Sequence, residues 1–598
     1  MTLSPRDRTY TLVGILLALF LGALDQTIVA TALPAIVEDL GGLSRYAWVV
    51  TAYLVASTVL VPIYGKLADM YSRKAIELWA VSVFLAGSFL CGLAGEFGDL
   101  PLIGDGMNQL IVARALQGLG GAGLFSLAFI IIADLFPPKV RGKYQGLVGG
   151  VFGIASVLGP LIGGLLTDHA GGIIPGVAGW RWVFYVNLPF GVLALWVIAR
   201  RMPPLRPGGE RSRLDLLAAL LLLLGLVPLV VALQLDRATY PWGSPVTLGM
   251  LGFALSMLAL FVWRSLVSPN PILDLRLFGN AVFRVSNVAL FFQGAAFLCT
   301  VAFLPLFMVN VVGVSATGAG LTLVPLSLGV VVGSVVAGQL VSRFGRYRLL
   351  ILVGSAIMLA GVVLLARMTP AATLRQVTLY MAIAGVGIGP SLPLYTLAIQ
   401  NAVSLDKLGQ ATSASQFFRQ IGGAVGTAIL GTVLSVTLAS AFAANLAGGP
   451  LASGGPGGQS AAPASVGDVE TTVREAMDTR FAALQAAIEA GDEAAVRTEL
   501  DDVGVPAAGQ EAILQGLAAS ANAPEVRAGL ISQLRERFEA QAVQVIEAVG
   551  QGVRASFASA VTRVFFYVQF IVVAAWLITL ALPVLPLRAE NAPRTELS

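Results

Sequence analysis

A carboxyl and a guanidinium set in apolar stretches are the groups of this chain best placed to do chemistry. Asp25 lies in "LGALDQTIVATALPAI" and Arg114 in "RALQGLGGAG". A carboxyl in such a stretch is costly when charged, which suits it to take up and release protons. A cation there must find a carboxylate or carbonyl inside the protein. Asp25 is a candidate partner for Arg114, directly or through water, and Gln117, three residues on, can line the same helix face. Arg419, in "FFRQIGGAVG", is a second such cation and needs a partner on another helix, for which Asp134 is a candidate. The remaining inventory excludes other chemistry. His169 is the single histidine and the two cysteines, Cys91 and Cys299, lie in separate apolar runs, so we expect no disulfide, no metal site, no nucleophile constellation and no enzyme.

These residues need a lipid-embedded scaffold. Of the 598 residues 57% are hydrophobic and 12% charged, against about 25% charged in a soluble domain. Apolar runs of about 20 residues, the length that crosses a bilayer, recur near Tyr10 to Leu33, Tyr46 to Ala68, Ile76 to Gly95, Gln109 to Ala133, Gln145 to Leu166 and Trp182 to Ala199. After a basic stretch, Leu214 to Leu235 and Leu248 to Trp263 read as an inserted pair. Six more follow near Val285 to Val309, Gly318 to Val341, Leu349 to Ala366, Leu379 to Ala398, Ser413 to Leu438 and Val561 to Pro586. The first run carries Asp25 and has no clear cleavage site, so it reads as a retained helix.

Orientation follows from the cations. Lys66, Arg73 and Lys74, then Lys139, Arg141 and Lys143, then Arg343, Arg346 and Arg348 fall on one side, which the positive-inside rule makes cytoplasmic together with both termini. The expected organisation is an N-terminal six-helix half (1–200), an inserted two-helix linker (201–280), the C-terminal half with spans nine to thirteen (281–440), an extracytoplasmic helical insertion (441–560), and the last span with a cytoplasmic tail (561–598). The insertion opens on a Gly, Ala, Ser and Pro-rich linker, has no lysine, and is acidic. Phe481, Leu484, Ala487 and Ile488 are spaced as one apolar helix face, and so are Ile531, Leu534, Phe538 and Val543. It is a candidate surface for a periplasmic or extracellular partner. Clustered cations between spans speak for topology rather than nucleic-acid binding.

The halves repeat. Gly65, Leu67, Tyr71 and Arg73 of "GKLADMYSRK" match Gly338, Leu340, Phe344 and Arg346 of "GQLVSRFGRY" at one offset, each after the second span of its half. "GKLADMYSRK" resembles the cytoplasmic loop signature of the major facilitator superfamily. The run around Asp25 resembles that of its fourteen-span drug:proton antiporters, as does "GWRWVFYVNLPFG" from Gly179, read here as anchoring and packing. "RALQGLGGAG" resembles the family motif whose arginine is implicated in proton relay. "ASVLGPLIGG" resembles the antiporter motif that marks exporters, with Ala155 where the family usually has glycine.

The resemblance implies an all-α membrane protein of the major facilitator fold: fourteen transmembrane helices in two six-helix halves, an inserted pair and a small extracytoplasmic helical domain. It implies proton coupling at Asp25 and Arg114, a conformational lock at Gly65, Asp69, Arg73 and Lys74, extended here to Asp134 and Arg141, and a flexing fifth span at Gly159, Pro160, Gly163 and Gly164. Thr27 and Thr31 read as local helix glue. The implied activity is export of lipophilic drugs or amphiphiles across the cytoplasmic (inner) membrane, with protons as coupling ion and no cofactor; export of lipid or lipoglycan is the alternative. Few acidic residues lie deep in the spans, so the cavity is expected to favour neutral, lipophilic or monocationic compounds. Phe291, Phe292, Phe297, Phe303 and Tyr395 are its apolar candidates, and Gln117, Gln293, Gln400, Asn401 and Arg419 its polar ones.

Overall fold

The computed structural model describes residues 4–590 apart from 43–44, 102, 173, 175–176, 206–213, 236, 238, 315–321, 447–465, 503–506 and 520–523. The small-residue linker at the start of the insertion and much of the basic stretch after span 6 therefore lie outside the described residues. Among the described residues, fourteen helices are long and apolar enough to cross a membrane. The first half comprises span 1 (Pro5–Leu40), span 2 (Trp48–Met70), span 3 (Arg73–Gly92), span 4 (Gly106–Leu135), span 5 (Pro138–Gly172) and span 6 (Gly179–Arg201). Span 7 (Leu216–Gln234) and span 8 (Pro245–Val267) are the inserted pair. The second half comprises span 9 (Ala281–Val312), span 10 (Val324–Phe344), span 11 (Tyr347–Ala366), span 12 (Leu374–Ala402), span 13 (Leu405–Asn445) and span 14 (Ile531–Leu580).

Local chemistry sets the helix ends and breaks. Ser4 caps span 1 by accepting from the Asp7 N–H, with Pro5 pre-set at the first helical position. Asp105 caps span 4 through the Asn108 N–H. Gly345 ends span 10 at φ 70°, a left-handed turn that glycine adopts without strain. Span 2 breaks at Leu60, just before Pro62, and span 12 at Gly389 and Pro390, where the proline ring and lost N–H interrupt the ladder.

The repeat positions do equivalent work in space. Gly65 of span 2 lies where an added Cβ would meet Ser413 and the Gly409 carbonyl of span 13, and Gly338 of span 10 where it would meet Gly142 of span 5. Each half thus presses one small-residue helix against the other half, a close approach that only a missing side chain permits. The inserted pair closes on itself at Gly225 against Leu258, and Leu222, Leu226 and Val230 share a buried cluster with Val55 and Val59 of span 2. Span 8 shows Leu255, Trp263 and Val267 outward, as a lipid-facing helix should. Asp215, at the start of span 7, accepts from Arg264 and Ser268 at the end of span 8.

The insertion is continuous with the last two spans. The helix carrying span 13 runs Leu408–Leu446 and that carrying span 14 runs Pro524–Leu580, so the boundaries placed at 440/441 and 560/561 fall inside unbroken helices. At 1.5 Å per residue both exceed the roughly 30 Å of a bilayer core. Edge-on Phe442 and Phe557 rings, 5.8 Å apart, and an Asn445 to Ser556 hydrogen bond of 3.0 Å hold them together. Helices Val466–Ala490, Glu493–Asp502 and Ala507–Ala519 add to the distal part of Pro524–Leu580 and share a core of Leu484, Ile488, Val496, Leu500, Ile513, Leu534 and Phe538. Both expected apolar faces are there, except that Val543 is 59% exposed, on the wall of a groove it shares with Met477 and Phe481.

Candidate functional site

Asp25 and Arg114 meet. Arg114 Nη1 donates to Asp25 Oδ2 at 2.6 Å and to Gln117 Oε1 at 2.7 Å, while Gln117 Nε2 donates to Asp25 Oδ1 at 2.8 Å. The cluster recruits two further elements. Asn187, where span 6 resumes after its opening turn, donates to Asp25 Oδ1 at 3.3 Å and to Ser88 Oγ of span 3 at 3.0 Å. The Tyr53 ring of span 2 lies under the guanidinium, 4.4 Å from its centroid, and Arg114 Nε reaches the Val49 carbonyl at 3.3 Å. Asp25, Gln117 and Asn187 are fully buried. The carboxyl is thus held by donors from two helices, span 4 and span 6, beside a fixed cation. Breaking such a buried pair by removing one member costs about 3–5 kcal/mol.

Span 5 reaches this site through its small residues. Gly159 packs on Thr27 and Gly163 on Thr31 and Ile28 of span 1, and Thr27 Oγ1 donates to the Ala155 carbonyl at 3.1 Å. A Cβ added at Gly164 would meet nothing within 4 Å, and Pro160 lies inside the helix. Movement of span 5 against span 1 therefore acts two residues from Asp25.

A second constellation joins the halves at the basic end. Asp69 accepts the Gly409 N–H at 2.7 Å and the Gln410 N–H at 2.8 Å, so a carboxylate of span 2 sits on the positive end of the long helix of span 13. Arg73 supports it, with Nε 3.0 Å from Asp134 and Nη2 3.7 Å from Asp69. Asp134 thus pairs with Arg73, within the lock, and not with Arg419, for which it was also a candidate: it stands at the end of span 4 level with the loop cations. Lys74 ties span 3 to the Ala199 carbonyl at 2.7 Å. Arg141 donates to the carbonyls of Ala133 and Phe136 at 2.8 and 3.0 Å and to Gln400 Oε1 at 3.3 Å. Gln400 also accepts from Gln145 at 2.9 Å and donates to Thr412 at 2.9 Å and the Phe129 carbonyl at 3.2 Å. The C-terminal segment crosses beneath: Arg588 donates to the Asn401 and Val403 carbonyls, and its own carbonyl accepts the Lys139 N–H at 3.1 Å. Between spans 8 and 9, burial opposes charge on Asp274, but hydrogen bonds from Lys407 and the Arg276 N–H, with both cations near, hold its carboxyl below the ordinary carboxylate value.

The cavity candidates divide. Gln117 belongs to the Asp25 cluster and Gln400 to the basic-end junction. Asn401 is bound to the C-terminal segment, donating to the Pro586 carbonyl at 3.1 Å, and Tyr395 is fully buried against Thr579 of span 14. Both pack within the C-terminal half, where their helix is covered by the chain returning from span 14. Phe303 is buried in that half and Phe297 packs on its core. Gln293 donates to Ser355 at 2.9 Å and keeps an unpaired Oε1, and the partly buried Phe291 and Phe292 stand edge to face at 5.6 Å. Arg419 meets Gln416 at 3.4 Å. Sequence reading missed Asn187, Ser88 and Tyr53. The asparagine stands in a motif read as packing, and nothing in its spacing relates it to a carboxyl 162 positions earlier. It also passed over Glu77, fully buried in span 3 with both oxygens unpaired.

The chain resembles known proteins in sequence and in fold. The family model described as Major Facilitator Superfamily matches residues 15–427. The chain is 39% identical over 428 residues to the multidrug transporter protein MdtP of Bacillus subtilis, covering 72% of this chain and 75% of that one. It is 38% identical over 433 residues to multidrug resistance protein 3 of the same organism, covering 72% and 80%. Among solved structures, the proton:xylose symporter XylE superposes with a TM-score of 0.52 at 13% identity, over 74% of this chain and 91% of that one, which speaks to the fold alone. Fourteen apolar helices among the described residues, twelve in two halves and two as an inserted pair, with the match running from span 1 into span 13, place this chain in the major facilitator superfamily of membrane transporters.

Proposed function

We propose that the protein is a proton-coupled exporter of lipophilic drugs or amphiphiles working by alternating access in the cytoplasmic membrane, with the basic end and both termini in the cytoplasm. The observation that carries this reading is the Asp25 carboxyl, fully buried in span 1 and gripped by Arg114, Gln117 and Asn187. The relatives named as multidrug transporters support the substrate class. In this arrangement the Asp69 cap and the Arg141 to Gln400 junction close the cytoplasmic end, so Asp25 exchanges its proton with the outside. Protonation removes the charge that Arg114 pairs with and frees span 1 to shift against Gly159 and Gly163 of span 5. Opening at the basic end then requires Asp69 to leave the span 13 helix terminus.

The test is proton flux in proteoliposomes, wild type against Asp25→Asn, with lipophilic monocations, neutral amphiphiles and fluorescent lipids added in turn. Compound-driven flux that Asp25→Asn abolishes supports coupled antiport; substrate movement that persists in the variant would falsify the assignment of Asp25. Lipid export is the second reading. It is favoured by a groove in the outer domain, about 280 Å³, with Met477, Phe481, Phe538, Val543 and Ile546 on its apolar wall. Movement of a fluorescent lipid without drug-driven flux would select it.

A further inference from the structure

Arg419 has a cost that the protein itself does not recover. It stands in span 13 about 15 Å along the helix from the Asp69 cap. Among the described residues no carboxylate pairs with it, its one hydrogen bond is the 3.4 Å contact to Gln416 Oε1, and its Nε is buried without a partner. Gln416 Nε2 is likewise buried without an acceptor. Two unused donors thus stand one helical turn apart. The other deep cations differ: Arg114 has Asp25, and Arg141 has two carbonyls and Gln400.

The surroundings place Arg419 between the two halves. Arg419 is only partly buried although it lies within a span. Its stretch of helix faces the other half, since Gln420 accepts from Thr58 of span 2 at 2.8 Å and Phe417 packs against the N-terminal core. On the other side, the Arg419 backbone carbonyl lies against Gly294 of span 9. Phe417 and Phe418, edge to face at 5.6 Å, add apolar surface beside it. A cation at this depth without a counter-charge costs several kcal/mol, and an arriving anion offsets that cost. The planar guanidinium with an amide N–H alongside fits the two oxygens of a carboxylate, held by charge-assisted hydrogen bonds.

We propose that Arg419 and Gln416 form the subsite for the carboxylate head of an acidic amphiphile, with the apolar body lying along Phe417 and Phe418. This rests on the export reading above and narrows it, away from the neutral or monocationic compounds that the shortage of acidic residues suggested. The probes are dansyl-labelled undecanoic acid, its primary amide and the corresponding amine, titrated into full-length protein in nanodiscs. The acid should bind about tenfold or more tighter than the amide, the scale of one charge-assisted hydrogen-bonded pair, and the amine weakest. Arg419→Gln should bring the acid-to-amide ratio near one, and Arg419→Lys should restore part of it. Equal wild-type affinity for acid and amide overturns the proposal, as does an undiminished preference in Arg419→Gln; should that variant not fold, the wild-type comparison decides alone. Proton flux with the same probes separates the two readings. Acid preference without flux from any probe overturns proton-coupled export while the subsite stands, and flux from amide and amine without acid preference overturns the subsite while export stands.

Discussion

The two halves share a scaffold and differ in what they do with charge. In the N-terminal half Asp25 and Arg114 satisfy each other, with Gln117, Asn187 and Tyr53 closing the cluster. In the C-terminal half Arg419 stands with one weak contact. The repeated Gly65 and Gly338 nevertheless do the same thing, each admitting a helix of the opposite half. Duplication kept the positions that let helices touch, because any side chain there separates the halves. It left the buried charges free to diverge, so that Arg114 has a carboxylate and Arg419, among the described residues, has none.

The largest expected effect breaks the self-sufficient half. Asp25→Asn should abolish compound-driven proton flux, and Asp25→Leu should in addition lower stability by about 3–5 kcal/mol by leaving Arg114 buried and unpaired, read as a drop in detergent melting temperature. Arg114→Gln should cost a similar amount; if both variants melt like wild type, the cluster is not the stabilised pair described here. Next come the shared positions. Gly65→Val and Gly338→Val each force bulk into a closed interface, a penalty of about 1–3 kcal/mol, and should shift populations about fivefold or more toward an open basic end. Cross-linking of cysteines placed at the basic ends of spans 2 and 13 would report this, and a change in only one variant would refute equivalence of the repeats.

Removing the Asp69 charge with Asp69→Asn should weaken the same closure by about 1 kcal/mol, the worth of a carboxylate at a helix N-terminus. Glu77→Gln sharpens the comparison within the N-terminal half. Its oxygens have no partner to lose, so stability should change by less than about 1 kcal/mol and flux should persist; loss of flux would reveal a second coupling carboxyl. The smallest effect concerns Asp274. Its carboxyl titrates below the ordinary value, so its contribution is complete above about pH 4 and is lost as pH falls through the lower folded value. Asp274→Asn should slightly flatten the acid limb of the melting profile, and an unchanged limb would show that the Lys407 pair contributes nothing.

Much of the site was readable because a charge in an apolar run admits few partners. Asp25 and Arg114 are the clearest case, and Gln117 follows from its place one turn along from Arg114. Asp134 had two candidate places, the lock and the side of Arg419, because sequence gives its sign but not its height, and it stands level with Arg73. Gln400, Asn401 and Tyr395 look like any polar residues of an apolar helix. Only the return of the chain beneath the basic end, from Pro583 to Arg588, makes them packing and junction residues.

The sequence by itself determined the spans, the repeat and the basic end, because apolar length, small-residue spacing and cation clusters are local properties that a bilayer reads directly. Only the tertiary structure decided that Asn187 completes the Asp25 cluster, that spans 13 and 14 continue unbroken into the helical insertion, and that among the described residues Arg419 has no acid beside it. Each of these is a relation between residues far apart in the chain, fixed when helices pack and every buried polar group must take whatever partner the neighbouring helix brings to its level.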